Sequence, residues 1–283
     1  MKPHIISLIG CAVLLGSDVA AATLKLAGPD SAAITAAIER ASPGDTVSLP
    51  TGVIELTEAI AAKSGIRLIG AGQEQTRIVY RGEKPSELLS LRGCEDVEVA
   101  HFTLDGEDNP LVRQGIGGNN SRRLRIHHLT VRDLANTGAF GPHGIYFSGE
   151  NPTMENGVTD SEISDCRFQR IGLGAKYGGG IRLAWGSVRN RVLRNVVRDT
   201  GRGGIFGDHS AELTIRDNEV SGSGGTGLGI EIWGGCPRSV IEDNVVDHWI
   251  SVDKSDRSAV RRNVIGADDG TLKGYGIEVI ARD

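Results

Sequence analysis

A pattern of apolar positions, apolar-x-x-Φ-x-apolar, recurs along most of the chain. Successive copies begin 19 to 37 residues apart. A period in this range is typical of architectures in which each repeat forms one unit stacked on the next. The pattern therefore favours a solenoid over a compact helical domain. The copies are Val99-Phe102-Leu104, Ile126-Leu129-Val131, Ile163-Cys166-Phe168, Val192-Asn195-Val197, Ile215-Asn218-Val220, Ile241-Asn244-Val246 and Val260-Asn263-Ile265.

A second pattern alternates with the first and has the form of a short strand. Because successive side chains of a strand face opposite sides, its central isoleucine should point inward and the next residue outward. No helical pattern of ten or more residues interrupts these repeats, which disfavours folds that alternate strands with helices. The copies are Gly144-Ile145-Tyr146-Phe147, Gly180-Ile181-Arg182-Leu183, Gly204-Ile205-Phe206-Gly207, Gly229-Ile230-Glu231-Ile232, Trp249-Ile250-Ser251-Val252 and Gly276-Ile277-Glu278-Val279.

The two patterns together predict an all-β chain, a single-stranded right-handed parallel β-helix with an N-terminal capping helix. Asp30 and Ser31 are suitable N-caps for a helix over residues 32–41, which Pro43-Gly44 would end. Such a helix would cover the first coil, whose core and strand edges would otherwise be exposed.

The middle position of the first pattern changes along the chain from apolar residues to asparagine. Stacked asparagines can bond to one another through their side-chain amides, so this column predicts a ladder along the solenoid. The alternative is that they are surface residues that merely tolerate left-handed turns. The column contains Cys166, Asn195, Asn218, Asn244 and Asn263.

Four features together resemble the pectate-lyase-like right-handed parallel β-helix superfamily. They are the helix, the Gly-Ile coils, the asparagine column and the segment that follows the helix, Pro43-Gly44-Asp45-Thr46-Val47-Ser48-Leu49-Pro50. The resemblance covers about residues 24–283. It implies the fold, but the superfamily contains lyases, hydrolases, epimerases, tailspikes and adhesins, so the chemistry stays open.

Residues 1–22 resemble a secretory leader, with Lys2, an apolar stretch and three alanines at the cut. A lipoprotein site at Cys11 is the alternative. We expect one domain over residues 23–283, secreted or periplasmic and without a membrane span. The net charge of -5 provides no basic field for nucleic acid. The last coil should be covered by further chain or by another copy, because it ends on an apolar strand.

Three cysteines follow the leader, and we predict no disulfide, since Cys94 and Cys236 lie about five coils apart and Cys166 belongs to the asparagine column. We also predict no zinc site, because the chain has no CxxC or His-x-x-x-His spacing. His101, His127 and His128 are interpreted as surface or turn residues.

Candidate chemistry lies in the outward columns of the central coils, where equivalent positions should be about 4.8 Å apart. The predicted catalytic residues are Asp208, His209, Glu231, Asp253 and Lys254. The predicted substrate-binding residues are Arg182, Trp233, Tyr146, His143 and Glu278. An extra loop, 149–160, is expected to wall the same groove.

Carboxylates about 8 to 10 Å apart suit an inverting glycosidase, and Trp233 could stack on a sugar ring. A lyase would instead use Lys254 or Arg182 to remove a proton, with Ca²⁺ bound by carboxylates. The segment 250–255 is similar to the Ile-Ser-x-Lys-Ser element of the alginate lyase and chondroitinase B family. The acidic positions that family would use for calcium fall here on Trp249 and Asp247.

The expected partner is a polysaccharide, acidic if the enzyme is a lyase. A non-catalytic carbohydrate-binding or adhesion module is the alternative function. These charged residues would also point outward on a surface that is only solvated and has no functional site, and this is the further alternative.

Overall fold

The computed structural model describes residues 20–138, 140–224, 228–266 and 276–281. Within these ranges the chain forms one short helix, Ser31–Arg40, and parallel strands in two long sheets and one short one. The strands coil as a right-handed parallel β-helix, as predicted. Most of the predicted leader lies outside the described residues. No helix in the described ranges has the length and apolar character needed to cross a membrane.

The strands of each sheet come from successive coils. The nine-stranded sheet contains Ile60–Ala61, Ser86–Ser90, Val112–Gly118, His143–Ser148, Gly179–Ala184, Gly203–Asp208, Leu228–Trp233, Trp249–Asp253 and Ile277–Ile280. The seventeen-stranded sheet contains Thr23–Lys25, Thr46–Ser48, Gly52–Leu56, Arg67–Ile69, Thr76–Tyr80, Glu98–Asp105, Arg125–Leu134, Glu162–Ser164, Arg167–Ile171, Arg191–Leu193, Val196–Thr200, Thr214–Arg216, Glu219–Ser223, Val240–Glu242, Val245–Val246, Ala259–Arg261 and Val264–Ile265. The short sheet pairs Ser121–Arg122 with Val158–Thr159.

Strand register follows both sequence patterns. Val99 pairs with Ile126, and Ile126 pairs with Ile163 across the longest coil. On the nine-stranded sheet, Ile205 pairs with Ile181 and with Ile230. Six isoleucines of this column are fully buried, as the alternation with polar residues predicts: Ile116, Ile145, Ile181, Ile205, Ile230 and Ile250. The prediction is wrong for Ile277, which is 51% exposed on the last strand of the sheet, where no described coil packs beyond it.

A glycine before most of these isoleucines lets the two long sheets approach closely. A Cβ atom built at Gly204 would lie 2.3 Å from Cγ1 of Val220, and one at Gly229 would lie 2.1 Å from Cγ1 of Val246. Both valines belong to the opposite sheet, so a larger residue at either glycine would push the sheets apart.

The asparagine column forms the predicted ladder. The side-chain oxygen of Asn218 accepts hydrogen bonds from the backbone N–H of Asn195 at 2.9 Å and from its side-chain amide at 3.0 Å. Asn244 repeats both bonds to Asn218, and Asn263 repeats them to Asn244. The backbone N–H of Cys166 donates to Asn195 at the start of the ladder. The buried turns therefore have their polar groups satisfied from coil to coil.

The helix covers the first coils through Ile34, Ala37 and Ile38. Its N-cap is Asp30, whose carboxylate accepts the backbone N–H of Ala33 at 2.8 Å. Cys94, Cys166 and Cys236 are free buried thiols. Burial raises the pKa of Cys166 and of Cys236 to about 12, so these two thiols stay protonated at neutral pH.

Candidate active site

The outward column of the nine-stranded sheet has the predicted register. Arg182 pairs with Tyr146 and Phe206, and Glu231 pairs with Phe206 and Ser251. Two residues further on, Asp208 pairs with Trp233. Side chains from positions twenty or more residues apart in sequence are thereby placed side by side.

A cleft of about 410 Å³ opens on this face, over the strands Gly179–Ala184, Gly203–Asp208 and Leu228–Trp233. It gathers two arginines, two acids and three aromatic side chains. It is lined by Tyr177, Arg182, Arg202, Phe206, Gly207, Asp208, Glu231 and Trp233.

Asp208 connects Arg182 in this cleft to His209, which directly follows the strand. Its carboxylate is buried and accepts a hydrogen bond from Nη2 of Arg182 at 2.5 Å. The other carboxylate oxygen lies 2.6 Å from Nδ1 of His209. A carboxylate in this position favours the tautomer with the proton on Nδ1, which leaves the Nε2 lone pair free. Asp208 thus orients His209 as a proton acceptor.

His209 has room because the neighbouring coil carries a glycine. A Cβ atom at Gly234 would lie 2.3 Å from Cε1 of His209, inside van der Waals contact. The imidazole also meets the edge of Trp233, with ring centroids 5.4 Å apart. The His209 side chain is 32% exposed and Trp233 is 46% exposed, so both are accessible to a ligand.

Glu231 is the second buried acid of the cleft. Both carboxylate oxygens accept from Nη2 of Arg202 at 3.0 Å. Burial raises the pKa of Glu231, while the charge and hydrogen bonds of Arg202 limit the rise. The net shift is upward, which favours the protonated acid over an exposed glutamate at the same pH.

Aromatic rings surround Arg182 on the side away from Asp208. The guanidinium lies 5.1 Å from the ring centre of Phe140, which packs against Tyr146 and Tyr177. His143 lies beneath, stacked on Tyr146 with centroids 5.1 Å apart. Burial, followed by the charge of Arg182, lowers the pKa of His143 to about 3. His143 is therefore a neutral support for Tyr146 and has no solvent-exposed surface.

The predicted site residues other than Arg182, Asp208, Glu231 and Trp233 lie outside the cleft lining. Asp253 is only 3% exposed, and its Oδ2 accepts the backbone N–H of Gly234 at 3.3 Å. Lys254 is exposed at a left-handed turn (φ 48°), next to that strand end. Glu278 accepts a hydrogen bond from the Ser251 hydroxyl at 2.8 Å, two coils from the cleft's edge. The cleft therefore contains two of the three expected acids, because the Asp253 carboxylate binds the backbone N–H of Gly234 at the end of its strand.

Sequence reasoning missed the cleft residues that come from turns. Arg202 precedes the strand Gly203–Asp208, and Tyr177 lies in the 172–178 turn. The loop expected to wall the cleft lies elsewhere, since Glu155 and Asp160 line a different depression with Arg189 and Arg122. The physical reason is that loop 149–157 pairs with the coil turns near Trp185 and Gly186 and not over the nine-stranded sheet.

The cleft acids do not fit a calcium site. Ca²⁺ takes six to eight oxygen ligands, mostly from free carboxylates and carbonyls. Here the carboxylates of Asp208 and Glu231 already accept hydrogen bonds from Arg182 and Arg202. A cation would have to compete with two guanidinium groups, so this donor set favours an anionic or neutral ligand.

Three histidines interpreted from the sequence as surface or turn residues lie close together. Side-chain nitrogens of His101, His127 and His128 lie within 4.8 Å of one another. Sequence spacing does not reveal this cluster, because the strand register places His101 beside His128, which is 27 positions away in sequence, on the next coil.

Comparisons with known proteins agree with the fold. A TM-score of 0.64 relates the chain to an alginate lyase from Paenibacillus sp. str. FPU-7, at 13% identity over 92% of this chain and 99% of that one. The hyperthermoactive exopolygalacturonase from Thermotoga maritima gives 0.58, at 13% identity over 88% of this chain and 76% of that one. The pre-mature gene product 12 of bacteriophage phi29 gives 0.56, at 14% identity over 85% and 40%.

These identities show a common fold only. No curated protein sequence is significantly similar to this chain. The family model described as "Right handed beta helix region" matches residues 113–265, more than half of the sequence. The chain therefore belongs to the right-handed β-helix family.

Proposed function

We propose that the chain is an exported glycan-cleaving enzyme in which His209 acts as general base and Glu231 as general acid. One observation carries the proposal: the buried carboxylate of Asp208 orients His209, which directly follows it, and Glu231, an acid of raised pKa, lies on the adjacent strand of the same cleft. Groups with separated proton affinities are what acid–base catalysis requires.

His209 provides the base because Asp208 holds Nδ1 and leaves the Nε2 lone pair free. In hydrolysis it removes a proton from water, whose oxygen attacks the anomeric carbon. In β-elimination it removes the proton from the carbon next to a uronate carboxylate. Both reactions need a neutral imidazole.

Glu231 provides the acid for either reaction. Its proton goes to the glycosidic oxygen as the bond to that oxygen breaks, and this avoids expelling an alkoxide. Arg202 keeps the carboxylate in place and stabilises it after the proton has left. Activity should fall as pH rises through the raised pKa of Glu231, because the acid then loses its proton.

An extended glycan fits the outer face of a solenoid, where binding positions repeat from coil to coil. Trp233 and Tyr177 present aromatic surface on which a pyranose ring can pack. Arg182 and Arg202 place two guanidinium groups in the lining of the cleft. An acidic sugar is therefore the favoured substrate class. Solved structures of an alginate lyase and an exopolygalacturonase with this fold support a polysaccharide.

A carbohydrate-binding module without catalysis is the second candidate. It is favoured by the ion pairs that already neutralise both cleft carboxylates. In that case Trp233 and Tyr177 would supply the binding surface and the acids would only hold the arginines.

The test is to incubate the chain from residue 23 onward with neutral and uronate polysaccharides. New reducing ends without ultraviolet absorbance identify a hydrolase, whereas absorbance of a 4,5-unsaturated uronate identifies a lyase. Glu231→Gln and His209→Asn should each reduce the rate by about a hundredfold or more. The matched control Glu219→Gln removes an exposed acid on the other sheet, paired with Arg198, and should keep full rate.

Glycan affinity without cleavage of any polymer, unchanged in Glu231→Gln, would replace the enzyme by the binding module. Secretion is checked separately, by locating the processed chain outside the cytoplasm of its own host and sequencing its N-terminus.

A further inference from the structure

We propose that His101, His127 and His128 form a binding site for a divalent transition-metal ion, with zinc as the preferred ion. Their ligand nitrogens lie within 4.8 Å of one another. The site lies on the seventeen-stranded sheet, whereas the cleft lies on the nine-stranded sheet. It is therefore independent of the proposed glycan chemistry.

The backbone brings the three rings together. His101 and His128 adopt left-handed conformations, with φ of 65° and 51°, at equivalent turns of consecutive coils. His127 lies one residue earlier, in register with Ala100. The ring centroids are 5.0 to 5.6 Å apart in all three pairs.

The same turn column is built differently in later coils. It carries Asp165, Arg194, Asp243 and Arg262, and its opposite charges pair along the stack: Arg194 with Asp165, and Arg262 with Asp243, each at 2.7 Å. Stacked histidines give no such charge pairing. When protonated they repel one another, and when neutral they offer lone pairs to a common cation.

A carboxylate orients the central ring. Oε1 of Glu98 lies 2.9 Å from Nε2 of His127, and Glu98 is itself held by Arg67 and Arg125. A proton on Nε2 donates to Glu98 and leaves the Nδ1 lone pair of His127 facing His128. Metal-binding histidines are usually held in this way by a carboxylate on the second nitrogen.

The shortest of the three distances requires only a small adjustment, and the other nitrogens lie within 4.8 Å. Nδ1 of His127 and Nδ1 of His128 are 2.9 Å apart. Two nitrogen ligands of a tetrahedral zinc ion, at about 2.0 to 2.1 Å from the metal, are roughly 3.3 Å apart. Rotation of the exposed His128 side chain can supply this change. Three neutral nitrogens suit zinc, and solvent can occupy the fourth position, since the cluster is only partly buried.

The test uses the untagged chain from residue 23 onward, freed of metal by chelation and titrated with ZnCl₂ in a calorimeter. We expect one zinc ion per chain. Co²⁺ in place of zinc should give the visible absorption of a tetrahedral site. The paired substitution His101→Asn with His128→Asn keeps residues that tolerate left-handed turns, and it should weaken binding at least a hundredfold.

Glu98→Gln should weaken zinc binding about 10- to 100-fold, since it removes the carboxylate that orients His127. The matched control is Asp217→Asn, which should bind zinc like the parent. Asp217 is also a left-handed residue of the turn column that contains His128, Asp165 and Arg194, and it lies three coils beyond His128. Circular dichroism and thermal melts confirm that each variant is folded. Absence of stoichiometric zinc binding to the parent, or equal binding by the paired variant, would overturn the site.

Discussion

Two columns of side chains run along this molecule, and the comparison between them separates structure from function. The asparagine ladder repeats one residue type, and its amides bond to one another from coil to coil. The outer column of the nine-stranded sheet changes residue at every coil and leaves Trp233 and His209 accessible. In a solenoid, repetition maintains the register, and departure from repetition creates a site.

The largest effect should come from the functional column. Asp208→Asn leaves Arg182 without its carboxylate and no longer fixes the tautomer of His209. We expect glycan cleavage to fall about 10²- to 10⁴-fold, since a misoriented base is nearly inactive. Initial rates measure this loss, and thermal melts show whether the variant is folded. A rate within threefold of the parent would separate Asp208 from catalysis.

The ladder should show the opposite behaviour, with a loss of stability and no direct loss of chemistry. Asn218→Ala removes the acceptor for the backbone and side-chain N–H groups of Asn195. Two buried donors left unpaired should lower the free energy of unfolding by about 2 to 4 kcal/mol. Denaturant melts measure this change.

Asn263→Ala is the matched variant, because Asn263 occupies the less buried end of the same ladder. Its cost should be smaller, since solvent can reach the donors that it leaves unpaired. Equal costs at both positions would mean that burial does not determine the strength of the ladder. Initial glycan-cleavage rates per folded molecule should be unchanged in both variants.

The support beneath the cleft should be sensitive to pH. The pKa of His143 is about 3 in the folded chain and about 6.5 when unfolded. The unfolded state therefore binds a proton first as pH falls below about 6.5, and stability decreases from there towards the folded pKa. His143 contributes at most about 1.4 kcal/mol per pH unit to the slope of the unfolding free energy against pH.

His143→Gln should remove that contribution, so the difference in unfolding free energy between parent and variant should shrink between pH 6.5 and pH 5. Urea melts at several pH values give the two curves. Parallel curves over this window would contradict the prediction, because they would mean that His143 takes up protons equally in the folded and the unfolded chain.

The smallest effect is expected at the exposed end of the functional column. Trp233→Ala removes a packing surface for a sugar ring but no acid or base. Loss of one aromatic contact, worth about 0.5 to 1.5 kcal/mol, should raise KM about 2- to 12-fold and leave kcat little changed. An unchanged KM would place the glycan on the Tyr177 side of the cleft.

Much of this architecture could be predicted from the sequence, because strand alternation and coil stacking are periodic. The register of Ile205 with Ile230, the Asn218 ladder and the helix after Asp30 all follow from residue type at fixed positions. In the candidate site, the same register predicted that Asp208 and Glu231 would lie on neighbouring coils, with Trp233 beside Asp208.

The rest depended on turns, which have no such period. Arg202 and Tyr177 reach the cleft from segments that vary in length between coils. Asp253 faces the amide of Gly234 because its strand ends there, a detail that alternation alone does not encode. The histidine cluster needed both the register and the left-handed turns at His101 and His128.

Gly204 and Gly229 let the two long sheets pack so closely against the valines opposite that the interior of the solenoid is filled. With apolar side chains filling the space between the sheets, neither water nor a sugar chain can thread through the centre as through a pipe. A polymer that meets this protein must slide along its outside, and new specificity can arise by altering single coils of that exterior.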